Sequence, residues 1–445
     1  MIKDMNIGSP YKLLIIFALP VALGSLFQQL YSLIDAVIVG QYVGLNALAA
    51  LGSVGSLFYL VIGFTVGLGA GFSVILSQEF GAKNYKNIKT AYAMSIILTA
   101  IISLLLSLLF CLTSKDLLLL LRTPENILDM ANEYIFVIYA GLIAFTFFNF
   151  FSAVLRSFGD SRTPLIFLIV ASGLNILLDL VFVLIFPLGC LGVAIATILA
   201  QSLAALLTLI YIRKKLTFLN LEKSDWKINL SMIKRLLAIG LPAAFQYSVC
   251  AIGMLVLQVA VNSFGSDIIA AYSISTKLEY LYSLPIPAIG AAISTYAAQN
   301  FGAGNHDRIN KGFKAAVVLI IIWSLIAMLI NYAFSPLLAT AFLPDTQNTS
   351  NVLSNALTCI NLELFFFIAL GLIFVYRTGD QGLGAGSAPM ISSIIELVVR
   401  SLGAIILPLY LGVFGLYLAS PLSWLSAAIF LPLYHIRVKK RLNIK

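Results

Sequence analysis

The chain has 445 residues, of which 61% are hydrophobic and only 10% are charged, and its formal net charge is +9. Soluble domains carry about 25% charged residues, so this composition excludes an ordinary soluble protein and indicates one embedded in a membrane. The long apolar stretches also exclude a transmembrane β-barrel, because barrel strands are about ten residues long and alternate in polarity.

Twelve segments of the chain are long and apolar enough to be transmembrane helices. A helix needs roughly 20 apolar residues to cross about 30 Å of hydrocarbon. In chain order the segments cover about residues 12–38, 46–77, 90–112, 132–155, 164–186, 190–212, 235–262, 269–298, 314–334, 354–376, 387–409 and 413–436. The sequence therefore predicts an all-α integral membrane protein with twelve transmembrane helices.

A repeated motif relates the two halves of the chain. The loop Gln78–Asn84 returns 221 residues later as Gln299–Asn305, and both copies contain Phe-Gly-Ala. Pro164 likewise returns as Pro389. Membrane proteins built from internal repeats place their binding sites at the interface between the repeats. We expect two pseudo-symmetric six-helix bundles around a central cavity, formed by residues 1–212 and 236–445 and joined by a cytoplasmic linker at 213–235.

The basic residues are concentrated on one side of this twelve-helix arrangement. Of the 27 Lys and Arg residues, 23 lie in the termini and in alternate loops, the last five between Arg437 and Lys445. Cytoplasmic loops are the ones enriched in Lys and Arg, so we expect a multi-pass protein of the inner (plasma) membrane with both termini in the cytoplasm. Topology explains the positive charge, and no nucleic-acid partner is expected.

The motifs of enzymes and of nucleotide-driven pumps are absent from the sequence. It contains no P-loop, no H-E-x-x-H and no G-x-S-x-G, and its only histidines are His306 and His435. We therefore expect a protein that is not an enzyme, needs no cofactor, and draws on an ion gradient if it transports a substrate.

Carboxylates inside the predicted helices of the first half are the strongest candidates for a site. A charge at mid-membrane costs roughly 2.5–3.5 kcal/mol on insertion scales. We therefore expect Asp35 and Asp179 to have a specific structural or functional role. Asp179 shares a helical face with Asn175 and Ser172, and Thr197 and Gln201 form a similar pair on the next segment. Such a group could hold a cation or share one proton; alternatively, it is a polar network that only stabilises packing.

The second half has a different set of intramembrane charges. Glu396 and Arg400 are spaced to neutralise each other on one helix, and Lys277 and Glu279 are close in sequence. Either pair could be structural or could take part in gating. Glu363 has no evident partner and could face the cavity.

Prolines and glycines mark two further features. Pro285 and Pro287 lie inside the eighth segment and should kink or loosen its helix. Gly63, Gly67 and Gly71 form a G-x-x-x-G series, which packing within the chain and dimerisation would explain equally well. We expect a monomer.

Taken together, the motifs resemble the multidrug and toxic compound extrusion (MATE) family over essentially the whole chain. The resemblance rests on motifs in both halves: Gln28-Gln29-Leu30-Tyr31 with Asp35 and Gly40, Gln78 to Ala82, Arg156 to Asp160 ahead of Pro164, Asn175 with Asp179, Gln299 to Ala303, Arg377, Gln381 to Gly384, Pro389, Glu396 and Arg400.

This resemblance implies a transporter that exports amphipathic, often cationic organic compounds in antiport with H⁺ or Na⁺ by alternating access. It also implies a cation site, with Na⁺ as one candidate ion, at Asp35, Asn175, Asp179 and Thr197. Cys250 stands where some branches carry a Glu, so the chain looks closer to the DinF-like branch and a cation site in the second half is not expected. Gln28, Tyr31, Glu279, Glu396 and Arg400 are candidates for cavity or gating residues.

Two other readings compete with drug efflux. A lipid-linked oligosaccharide flippase of the same wider superfamily should have more interior cations than Lys277 and Arg400, to match an anionic pyrophosphate. A membrane enzyme or receptor should show clustered catalytic residues or large extramembrane domains, and the sequence has neither. The expected partners are therefore membrane lipid and small amphipathic substrates.

Overall fold

The computed structural model describes residues 3–340, 342 and 350–444, and these form helices and turns without a β-strand. Lys445, the last basic residue of the predicted cytoplasmic set, lies outside the described residues. The α-helices of the described part are α1 Pro10–Ile38, α2 Leu45–Gly81, α3 Tyr85–Leu120, α4 Glu125–Ala140, α5 Leu142–Ser157, α6 Arg162–Leu180, α7 Gly189–Lys215, α8 Leu230–Asn262, α9 Ser266–Ser283, α10 Pro285–Gly302, α11 His306–Thr340, α12 Ser350–Phe365, α13 Phe367–Gly382, α14 Ser387–Leu411 and α15 Val413–Arg441.

The predicted membrane architecture is confirmed. Within the described residues, ten helical segments are long and apolar enough to cross a membrane, and there are up to twelve if each of two bent helix pairs forms one span. α9 and α10 together count as one of the ten, Ser266–Gly302. The helix α9 ends at Ser283 and α10 begins at Pro285, so the predicted break at the prolines of the eighth segment is present.

Two breaks were not predicted, and they occur at equivalent positions of the repeat. α4 and α5 meet at Gly141 with a bend of 49°, and α12 and α13 meet at Phe366 with a bend of 47°. These positions are separated by the same 225 residues that separate Pro164 from Pro389. Since Phe366 is not a helix breaker, we attribute both bends mainly to the packing of the repeated unit, and less to the residue at either bend.

The chain divides into two compact units, and two helices are shared between them. The first unit contains Leu23–Ser248 and the residues up to Asp4, and the second contains Met5–Ala22 and the residues from Val249 onward. The dividing points lie inside α1 and α8, a few residues after Pro20 and Pro242 respectively. Both prolines lie within continuous helices.

The glycine series of α2 packs against α8 inside the first unit. Cβ atoms built on Gly67 and Gly71 would collide with the backbone of α8, at Ala243 and Gly240 respectively, and one built on Gly63 would lie 3.1 Å from Tyr247 Cβ. Small residues allow such close approach of membrane helices. The G-x-x-x-G series is therefore occupied by packing within the chain.

The repeated loops hold the start of the shared helix in each unit. In the first unit, Glu79 accepts a hydrogen bond from Arg235 near the start of α8 at 2.8 Å. In the second unit, Gln299 Oε1 accepts one from the backbone N–H of Met5 at 2.9 Å, and Arg308 donates to the Gly8 carbonyl at 3.0 Å. The two repeated regions thus each hold the segment that leads into one of the two helices at which the chain is divided.

Candidate functional site

Two helices of the first unit change geometry directly after an acidic residue. Asp35 lies in the last turn of α1, which continues as a π-helical turn at Val39–Val43. Asp179 lies at the end of α6, which continues as a π-helical turn at Val181–Ile185. π-helical turns are rare and frequently occur at functional sites. The two turns also contact one another through a shared apolar cluster that contains Val39 and Val183.

The carboxyls of Asp35 and Asp179 meet in the interior of this unit. Asp35 is 8% exposed and Asp179 is fully buried. The two groups are close enough for one proton to bridge them. In the part of the chain that the structure describes, no other donor reaches Asp35 Oδ1 or either oxygen of Asp179. Two buried carboxylates without a basic partner are unfavourable, so the pair requires a proton or a bound cation.

Two other predicted site residues, Asn175 and Thr197, contact each other near the Asp179 end of this pair. Asn175 is one turn before Asp179 on α6 and donates to Thr197 Oγ1 on α7 at 3.5 Å. The Thr197 hydroxyl donates to the Val193 carbonyl at 2.9 Å. Asn175 Oδ1 has no donor among the described residues, so it is available as an oxygen ligand or acceptor.

A small cavity adjoins these residues. Its volume is about 10 Å³, close to the roughly 10–15 Å³ that one water molecule needs. Its wall is lined by oxygen-bearing and apolar side chains of α1, α6 and α7: Tyr31, Leu168, Ala171, Ser172, Asn175, Thr197, Ala200 and Gln201. Carboxylate, amide and hydroxyl oxygens suit a hard cation such as Na⁺, so the residues present fit the ion that the resemblance implies.

Tyr31 and Tyr134 complete the surroundings of the acidic pair. Tyr31 is one turn before Asp35, and its hydroxyl lies against the side chains of Gln28 and Gln201 and near both carboxyls. Tyr134 on α4 approaches the same two carboxyls and Tyr31. The sequence indicated Gln28 and Tyr31, but it gave no reason to select Tyr134 among the 19 tyrosines.

The structure places Glu396 and Arg400 in the second unit, with an additional partner. Glu396 lies 3.8 Å from Arg400 along α14, as the spacing predicted. Its closer ion pair is with Arg377 on α13. Arg377 also donates to Ser392 at 2.9 Å. All three charged groups are buried, which indicates a structural network between α13 and α14.

Glu279 does not pair with Lys277 in the described residues. The Lys277 ammonium instead lies 5.0 Å from the ring centre of Phe342. Glu279 interacts with Glu363 on α12, and Arg400 lies near both. Glu363 is 3% exposed, and its Oε2 has no hydrogen-bond partner among the described residues. The second unit therefore contains two acidic side chains, Glu279 and Glu363, that interact electrostatically with each other and with Arg400.

The chain is similar to known transport proteins along most of its length. The sequence profile of the MatE family matches residues 20–181 and 242–406, one stretch in each half. The probable multidrug resistance protein YpnP of Bacillus subtilis is 32% identical over 308 residues, which are 69% of this chain and 68% of that protein. The multidrug export protein MepA of Staphylococcus aureus is 24% identical over 401 residues, covering 89% of this chain and 86% of MepA.

Solved structures show the same fold. A MOP superfamily transporter from Pyrococcus furiosus superimposes with a TM-score of 0.92 at 22% identity, covering 99% of this chain and 98% of that one. The outward-facing conformation of a multidrug resistance MATE family transporter superimposes with a TM-score of 0.90 at 24% identity, covering 98% of both chains. At these identities the likeness shows the fold alone.

Proposed function

This chain belongs to the MatE family of multidrug efflux transporters, and we propose that it exports amphipathic or cationic organic compounds in antiport with H⁺ or Na⁺. The observation that carries the proposal is the buried pair of Asp35 and Asp179, which lacks a basic partner among the described residues. The pair must be neutralised by a proton or a cation. Binding of that ion therefore changes the free energy of the helix bundle directly.

The proposed cycle is alternating access between an outward-open and an inward-open state. A coupling ion can shift this equilibrium only by binding one state more tightly than the other. The π-helical turns that follow Asp35 and Asp179 support such a difference, because a change in the winding of either turn would move the helix end that carries the carboxyl. Drug and cation would then exclude one another because both act on the same helix bundle. Each would weaken the binding of the other by the same factor.

Two structural features bear on which ion is coupled. The direct interaction between the carboxyls of Asp35 and Asp179 suits a single shared proton. The free Asn175 Oδ1, the Thr197 hydroxyl and the small cavity beside them suit a Na⁺ ion. We therefore assign the coupling to Asp35, Asn175, Asp179 and Thr197. The flux experiment described next distinguishes H⁺ from Na⁺.

Drug-driven ion flux in proteoliposomes tests the assignment. Purified protein and the variants Asp35→Asn and Asp179→Asn would be assayed with a cationic dye under an imposed pH gradient or an imposed Na⁺ gradient. Each variant keeps the size of the side chain and removes the ionisable group. We expect both to lose coupled flux while retaining dye binding.

Asp129→Asn is the matched control, because the side chain of Asp129 is exposed and pairs with the exposed Lys115 at 3.4 Å, away from the buried carboxyls. It should transport as the unmodified protein does. Undiminished coupled flux in Asp35→Asn or Asp179→Asn would refute the site. Flux driven by the pH gradient alone would assign H⁺, and flux that requires Na⁺ would assign Na⁺.

The proposal also includes the protein's placement in the cell. The concentration of Lys and Arg in alternate loops supports a plasma-membrane orientation with both termini in the cytoplasm. The occupation of Gly63, Gly67 and Gly71 by contacts with α8 supports a monomer. Membership of the DinF-like branch stays a prediction.

A further inference from the structure

A large open cavity lies in the second unit, and neither Glu279 nor Glu363 is among the described residues that line it. Its volume is about 670 Å³, and its walls come from α1, α11, α13 and α15. The rings of Phe313, Tyr376 and His435 pack together in its lining, with centroids 4.2 Å apart for Phe313 and His435 and 5.3 Å apart for Tyr376 and His435. These contacts hold the lining in a fixed shape.

The cavity is positively charged. Lys314 and Lys439 line it, together with the polar side chains of Tyr11 and Asn310, and no carboxylate is among its lining residues. Asp380 is fully buried, does not line the cavity, and pairs with His435 Nδ1 at 2.5 Å. Lys314 and Lys439 therefore supply the positive charge of the cavity lining.

An apolar, exposed face of α11 continues from the cavity. Val317 and Val318 line the cavity itself, and Val318 is 38% exposed. One and two turns further along the helix, Ile322 and Leu325 are 48% and 51% exposed. α11 is among the helices that are long and apolar enough to cross a membrane. A ligand with a charged head and apolar tails would contact both surfaces at once.

We propose that this cavity binds the phosphate headgroup of an anionic phospholipid, with the lysines on the phosphate oxygens and the acyl chains along α11. Basic pockets between membrane helices on the cytoplasmic side are suited to anionic headgroups. Lys314 and Lys439 lie at the helix ends that the charge distribution assigns to that side. The site is separate from the proposed ion coupling and would stand if that coupling were disproved.

The first unit has a cavity at the equivalent place, without the two lysines. Its volume is about 620 Å³, and Tyr92, Ile96 and Phe151 line it. These residues precede Phe313, Val317 and Tyr376 by 221 or 225 residues, the offsets of the sequence repeat.

The position that corresponds to Lys314 is Ala93. Among the described residues, Arg213 is the only basic one that lines the cavity of the first unit. The shape is therefore common to both halves, and the pair of lysines is particular to the second.

Native mass spectrometry of the full-length protein tests the proposal. The protein would be released from nanodiscs that contain equal amounts of phosphatidylglycerol and phosphatidylcholine, and the retained lipid would be counted. The test variant is Lys314→Gln with Lys439→Gln. The control is Lys311→Gln with Lys440→Gln, which removes the same charge from the same two helices at exposed positions outside the cavity. We expect the test variant to bind phosphatidylglycerol roughly 30-fold more weakly and the control to bind it normally.

A second arm identifies the source of the phosphate. Glycerol phosphate, which carries the phosphate without acyl chains, would be added at millimolar concentration, and phosphatidylglycerol should remain bound. Displacement by glycerol phosphate would overturn the proposal of a lipid and assign a soluble phosphate compound. Equal loss of lipid from the test and control variants would also overturn it, since binding would then depend on overall surface charge.

Discussion

Replacing Gly71 with alanine places a methyl group against the backbone of α8 and tests the close contact between α2 and α8 in the first unit. An ideal Cβ at this position would lie 2.8 Å from Gly240 N and 3.0 Å from Ile239 C, and closer still to Gly240 Cα. Carbon atoms in favourable contact are about 3.5–4.0 Å apart. The two helices would therefore have to separate by about 1 Å, because no side chain at the contact can rotate away.

The expected loss of stability follows from two opposing effects. Overpacking of a closely packed interior costs about 1–3 kcal/mol, and the rigidity of backbone on both sides places Gly71→Ala near the upper limit. Alanine is favoured over glycine in a helix by about 1 kcal/mol, which offsets part of this cost. We expect a net destabilisation of about 2 kcal/mol, measured as a lower midpoint of thermal unfolding in detergent.

Gly55→Ala is the matched control on the same helix. No atom lies within 4 Å of a Cβ built on Gly55, so only the helix propensity changes and stability should stay the same or rise. If Gly71→Ala unfolds at the same temperature as Gly55→Ala, the close contact of α2 and α8 does not exist as described, and the reasoning is refuted.

Three further predictions concern polar contacts made by Asp160, Arg377 and Arg308. Asp160 accepts hydrogen bonds from the backbone N–H and the hydroxyl of Thr163 at 3.1 and 2.7 Å, and although burial alone would raise the pKa of its carboxyl, these bonds hold that pKa below its usual value. Since the folded-state pKa is depressed, Asp160 stabilises the protein above its unfolded-state pKa and loses this effect as the pH falls. Asp160→Asn should therefore cost about 1–3 kcal/mol at pH ~7 and much less at acid pH, as thermal unfolding at the two pH values would show; an equal cost at both would contradict the assignment. Arg377→Gln should destabilise the protein by about 3–5 kcal/mol, because it removes the closer partner of Glu396. The double variant with Glu396→Gln should recover part of this loss when thermal unfolding is measured for the single and double variants. Simple additivity of the two single effects would show that the pair is not coupled. Arg308→Gln should increase hydrogen–deuterium exchange at residues 5–9, because it removes the hydrogen bond to the Gly8 carbonyl; exchange unchanged from that of the unmodified protein would show that the contact does not hold this segment.

Helical spacing predicted the contacts that lie along one helix. Asn175 and Asp179 share a face of α6, and Glu396 and Arg400 are adjacent on α14. Contacts between helices were not accessible in this way. Arg377 is 19 residues from Glu396 and on a different helix, and spacing arguments extend only three or four residues. The electrostatic interaction of Glu279 with Glu363 was missed for the same reason.

Local sequence also predicted only some of the helix breaks. Pro285 gave a physical reason for a break, since proline lacks the N–H that a continuous helix requires. The break at Phe366 has no such local cause, and its equivalence with the break at Gly141 becomes visible only once both bends are seen in three dimensions. Spacing and the resemblance to a family predicted most residues of the first-unit site. Tyr134 could not be predicted, because its position near the two carboxyls depends on the path of α4.

The division of α1 and α8 between the units affects the order in which the protein can assemble during synthesis. The first unit needs the part of α8 up to Ser248, and the second unit needs Met5–Ala22, which is made long before Val249. At about 5–20 residues per second, the start of α1 waits roughly 10–45 s for its partners to emerge. During this interval its apolar residues Leu14 and Phe17, which are buried in the finished second unit, must be covered by lipid or by a chaperone. Expressing the two sequence halves as separate chains would therefore leave each unit without a helix segment that completes its core.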